Sequence, residues 1–95
     1  MSVDTVNYAV TNVRLRILKD PTSYSLDGAR KLLSILDVMR MYLMAEDVQG
    51  FDRYINEVLG REPDAADFLL EELFNELGLG PNGIREDLDK ILLAA

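Results

Sequence analysis

The chain contains no cysteine, no histidine and no tryptophan, and only three prolines and six glycines in 95 residues. Without cysteine there are no disulfides, no thiolate metal ligands and no thiol nucleophile. Without histidine, zinc sites of the usual kinds, serine–histidine nucleophile systems and imidazole acid–base chemistry are excluded as well. Any catalysis would rest on carboxylates, Tyr, Lys or Arg, and no spacing of these points to a reaction, so a non-enzymatic protein is expected. No apolar run approaches the roughly 20 residues of a membrane span, and a secretory leader pattern is missing from the start of the chain, so a cytoplasmic location is expected.

Hydrophobic residues make up 48% and charged residues 28% of the sequence, a balance that belongs to a folded globule rather than a disordered chain. The length suits a single domain spanning 1–95 that buries only about 60–65% of its unfolded surface, so stability is modest unless the protein associates. Net charge is −7, and its distribution is lopsided. Residues 1–45 hold six Lys/Arg against four Asp/Glu, whereas residues 46–95 hold four against thirteen. The acidic half repels phosphate backbones and suits a basic protein surface, or keeps a small domain soluble.

Periodicity predicts an all-α bundle of about five helices, over 4–19, 26–45, 48–59, 63–77 and 83–94. Val6, Val10, Val13 and Ile17 recur at helical steps, with Ala9 and Leu18 alongside. The run Val13-Arg14-Leu15-Arg16-Ile17 also alternates as a strand would. Asp20-Pro21 ends this element because the residue before proline is pushed out of the helical region. Ser25 and Asp47 are candidate caps for the second and third helices. Val48, Phe51, Tyr54, Ile55, Val58 and Leu59 form one stripe, with Gly60 as its stop. Pro63 opens the fourth helix, Gly78 closes it, and Asn82 is available to cap a fifth whose apolar face is Ile84, Leu88, Ile91 and Leu92.

Several motifs carry little chemistry. Gly78-Leu-Gly-Pro-Asn-Gly83 matches G-x-G-x-x-G in form, yet a helix precedes it, Pro81 removes a donor and acids follow, so it reads as a helix-to-helix turn. Asp64, Asp67, Glu71, Glu72 and Glu76 share one helix without the spacing of a calcium loop or the histidine of a di-iron bundle, so they read as a solvated acidic face and no metal site is expected. Arg14, Arg16, Lys19, Arg30, Lys31 and Arg40 give the first half some basic character, but the total charge opposes direct nucleic-acid binding. Ser25-Leu26-Asp27 at the head of a long helix resembles the Ser-Leu-Asp/Glu at which acyl carrier proteins receive phosphopantetheine. That resemblance implies a carrier domain modified at Ser25, and it covers three residues. Tyr24 stands where the family has Asp, and Arg30 with Lys31 make the next helix basic where a carrier helix is acidic. Ser25 as an ordinary cap accounts for the same residues, and no cofactor is expected.

The remaining candidates are surfaces. On a wheel of about 100° per residue, Leu32, Ile35, Leu36, Met39 and Leu43 form the main face of the second helix. Leu26, Leu33, Met41 and Met44 form a second seam elsewhere on it, interrupted by Arg30 and Asp37. Such a helix is either clasped by neighbours on both sides or exposes an adaptable methionine surface to another chain. The first reading suits Leu26 and Leu33, whereas both stay open for Met41 and Met44. Phe68 points away from the Leu69, Leu73 and Leu77 stripe, among Asp64, Glu71, Glu72 and Asn75. It is either an aromatic anchor for a basic partner or is covered by the first or last helix. Leu33, Met41, Met44, Phe68, Asp64, Glu71 and Glu72 are therefore the candidate protein-interface residues. The expected function is protein binding of a regulatory, adaptor or inhibitory kind, with a homodimer covering part of the methionine seam. The alternative is an acidic mimic of nucleic acid that blocks a basic protein.

Overall fold

The computed structural model describes residues 3–93 and shows an all-α bundle of five helices, with no strand among those residues. They are α1 (Val3–Lys19), α2 (Leu26–Met44), α3 (Val48–Arg61), α4 (Pro63–Glu76) and α5 (Arg85–Leu93). The final residue of the fifth helix as expected from sequence, at 94, lies outside the described residues. Across Val13–Ile17 the chain is helical, because Val6, Val10, Val13 and Ile17 all face the core with at most 1% exposure, a fit that the helical period allows and alternation does not.

α1 is the axis of the bundle, packed on α2, α4 and α5. Its stripe meets Leu36, Met39 and Leu43 of α2, Phe51, Ile55 and Val58 of α3, Leu69 and Leu73 of α4, and Leu88 and Leu92 of α5 in one core. Among the described residues no polar or charged residue is buried as a whole. Burial of this kind contributes about 25 cal/mol per Å² of apolar surface and is the main source of stability in a chain with no covalent cross-link.

The helix ends follow local chemistry. Between α1 and α2, the Asp20 carboxylate accepts hydrogen bonds from the Thr22 and Ser23 hydroxyls, and these, Ser23 first, hold its pKa below the ordinary carboxylate value. Ser25 Oγ accepts the Gly28 N–H at 3.0 Å and starts α2. α2 then ends in a Schellman turn: the Asp47 N–H reaches Tyr42 O at 2.9 Å and the Glu46 N–H reaches Leu43 O at 3.0 Å. Glu46 occupies the left-handed position of this turn with φ 56°. α4 ends in the same motif with Gly78 at φ 75°, the Leu79 N–H bonding Phe74 O at 2.8 Å. One turn uses the residue that the backbone favours, and the other uses glutamate.

Three expected boundaries are corrected. Gly60 does not stop α3, which runs on to Arg61; with no left-handed backbone at Gly60, the break falls at Glu62, the residue held out of the helical region by Pro63. Asn82 does not cap α5; the Asp87 carboxylate instead accepts the Ile84 N–H at 3.1 Å and the helix begins at Arg85. Ile84 therefore stands before the helix and is exposed rather than on its apolar face.

Candidate functional site

α2 is covered on one side only. Its main stripe is buried, but Leu26, Met41 and Met44 are 64%, 68% and 69% exposed. Leu26 is thus a correction: no neighbouring helix clasps the second seam, so a residue expected in the core faces solvent. Leu33 is half-buried against the core, because its place on the helix wheel is the edge of the seam nearest α1.

The outer stripe of α2 consists of Leu26, Arg30, Leu33, Asp37, Met41 and Met44. Their separations of four, three, four, four and three residues keep them in a straight row, about 130° round the helix from the centre of the buried face. α1 lies along one bank of this row. Arg14 Nε donates to Asp37 Oδ1 at 2.8 Å, which fixes the side of α1 that faces the stripe. On the opposite side of α1 the Arg16 guanidinium reaches Glu76 at 3.0 Å and Glu72 at 3.2 Å on α4. Leu18 lies on the Arg14 side of α1 and is exposed, so it adjoins the apolar row of α2, whereas the exposed Leu15 and Tyr8 point straight away from the core. Leu18, expected alongside the core stripe of α1, is instead exposed because it stands roughly 110° round the helix from the centre of that stripe, and Leu15 and Tyr8 lie off the stripe altogether.

The second candidate, Phe68, is partly covered. Tyr24, in the turn between α1 and α2, packs edge-on against it with ring centroids 5.8 Å apart, so that turn supplies part of its cover. The two rings, with Gly28, Lys31, Leu32, Asp64 and Ala65, line a shallow apolar cleft of about 250 Å³ between the starts of α2 and α4. Lys31 Nζ pairs with Glu62 at 3.1 Å beside it. Among the acids named from sequence, Glu72 is engaged by Arg16, whereas Asp64 and Glu71 are exposed and make no ion pair among the described residues. The proposed acidic patch is therefore split into a neutralised part and a free part.

A third cluster joins α3 to α5. Arg85 donates to Asn56 Oδ1 at 2.7 Å and to Asp52 Oδ1 at 3.4 Å. Partial burial raises the Asp52 pKa above the ordinary carboxylate value, the neighbouring Asp89 raises it further, and Arg85 works against both. The Arg85 guanidinium thus ties α5 to Asn56 and Asp52 of α3. Burial likewise raises the Tyr54 pKa. Among the described residues no group of three or more acidic side chains is arranged to hold a metal ion, and no helix is long and apolar enough to cross a membrane.

No protein-family model, no curated protein and no solved structure matches this chain.

Proposed function

We propose that this protein is a non-enzymatic protein-interaction module of a regulatory, adaptor or inhibitory kind, acting in the cytoplasm, which binds through the outer face of α1 and α2 and self-associates there. One observation carries the reading: Met41, Met44 and Leu26 stay mostly exposed on one helix face while the opposite face of the same helix is buried. Single exposed apolar residues need no explanation, but a straight row bordered by Leu18 on the next helix is a patch, and patches rimmed by polar groups mark interfaces. Methionine suits the role because its unbranched, polarizable side chain adapts to the surface it meets.

A second reading, an acidic mimic that blocks a basic protein, draws on Asp64, Asp67 and Glu71, exposed on α4 beside the Phe68 cleft. It calls for binding to a basic partner that weakens steeply with salt. The two readings use different faces. Sedimentation velocity of the full chain at high micromolar concentration, compared with Met41→Glu and Met44→Glu, tests the first: concentration-dependent association lost in the variants supports it, and a monomer unchanged by either substitution removes it.

A further inference from the structure

We propose that the occupant of this face is a second copy of the chain, docked antiparallel across a two-fold axis that passes α2 between Leu33 and Ser34. This rests on the reading of the outer face as a protein-binding surface and adds partner and register to it.

The stripe is complementary to itself in one alignment. With two α2 helices antiparallel and the axis at that point, Arg30 stands opposite Asp37 of the second copy, and symmetry repeats the pair. Leu26 meets Met41 of the second copy, and the two Leu33 side chains meet at the axis. Arg30 is exposed and makes no ion pair among the described residues, so it is free to form this one. The Asp37 carboxylate is half exposed and uses one oxygen for Arg14, which leaves the other for Arg30 of the second copy. Sliding one helix by a turn breaks the match. In one direction Arg30 faces Arg40 and Asp37 faces Leu33; in the other Arg30 faces Leu33 and Asp37 faces Leu26 and Asp27. A two-fold interface needs this self-complementarity, since each contact occurs twice.

Charge and size point the same way. Two molecules of net charge −7 repel each other, and the helices with the least negative charge are α1 and α2, which lie within the half that carries six Lys/Arg against four Asp/Glu. Meeting through α1 and α2 keeps the acids of α3, α4 and α5 away from the contact. α2 is 19 residues long, or about 28 Å, and two helices lying about 9 Å apart present a face roughly 18 Å wide. The outline is on the order of 500 Å² per copy, close to the floor of about 1,000 Å² in total for a specific interface, which places the dimer among reversible associations.

The test uses charge exchange in the full chain. Arg30→Asp and Asp37→Arg each convert two attractive pairs into two like-charge pairs, and each raises the dissociation constant roughly tenfold or more. An equimolar mixture of the two variants restores both pairs in the heterodimer, so it associates like the original protein. Circular dichroism melts identify any variant that loses its fold. A second measurement is independent of charge: with a short bis-maleimide linker, Ser34→Cys couples to itself because the axis is adjacent. Leu26→Cys does not, its counterpart lying about 15 residues, or roughly 22 Å, away along the helix. A mixture that stays as weak as its components, or efficient coupling at Leu26→Cys, overturns the register while leaving association through Met41 standing. A chain that stays monomeric at every concentration overturns both.

Discussion

Arg14 on α1 and Asp37 on α2 meet at 2.8 Å at the edge of a row of exposed apolar side chains, which makes this pair the seam between the two helices of the candidate interface. The guanidinium is 30% and the carboxylate 50% exposed, so solvent screens the pair and it contributes about 0.2–1 kcal/mol at most. Arg14→Gln is expected to lower stability in chemical denaturation by no more than that. It leaves Asp37 available to a second copy, so association should be nearly unchanged.

Gly50 and Gly60 both lie inside α3, and their substitutions are expected to differ in sign. A Cβ at Gly50 would stand 2.6 Å from the Tyr42 ring and press on an Asp47 carboxylate oxygen, whereas one at Gly60 meets nothing within 4 Å. Gly50→Ala should therefore cost about 1–3 kcal/mol through overpacking and the disturbed Asp47 cap. Gly60→Ala should gain about 0.5–1 kcal/mol through helix propensity and a less flexible unfolded chain. Urea unfolding midpoints of the two variants check the contrast.

Glu46 holds a left-handed conformation at φ 56° that α4 reserves for Gly78. Glu46→Gly is expected to stabilise the domain by about 1 kcal/mol, since the strain of an L side chain in that region is removed and both Schellman hydrogen bonds are backbone ones. Thermal unfolding should shift upward. A fall would show that the Glu46 side chain makes a contribution larger than the strain.

Asp52 gives stability a pH dependence of unusual sign for a carboxylate. Its pKa is raised in the folded state, chiefly by burial and then by Asp89, so the folded state binds that proton more tightly than the unfolded one. The stabilising contribution is present at low pH and is lost as pH rises from the ordinary value of 3.8 through the raised folded value. Asp52→Asn should remove this part of the slope. Stability measured by urea at stepped pH, with and without the substitution, separates it from the other carboxylates.

Most of the fold was legible from spacing. Val6, Val10, Val13 and Ile17, or Leu69 and Leu73, recur with the period of one helix face, and all are buried. The boundaries at Pro21 and Pro63 were legible for a steric reason that acts locally. Gly60 was misleading because glycine permits a stop without requiring one, and α3 continues through it. The surface was harder to read. A helix wheel separates Met39 from Met41 and Met44, but it carries no information about which other helix lies over the second seam, and that is settled by long-range packing. Leu26 was misassigned for this reason. Phe68 is partly covered by Tyr24, a contact made by the chain's turn after Pro21 and invisible to periodicity.

The outer row of α2 as a binding face for another chain is tested most directly by sedimentation velocity of the chain over a concentration series, beside Met41→Glu. We expect a reversible monomer–dimer equilibrium that Met41→Glu shifts to monomer without lowering the melting temperature. A protein that sediments as a monomer throughout, or a dimer indifferent to the charge placed at Met41, would contradict it.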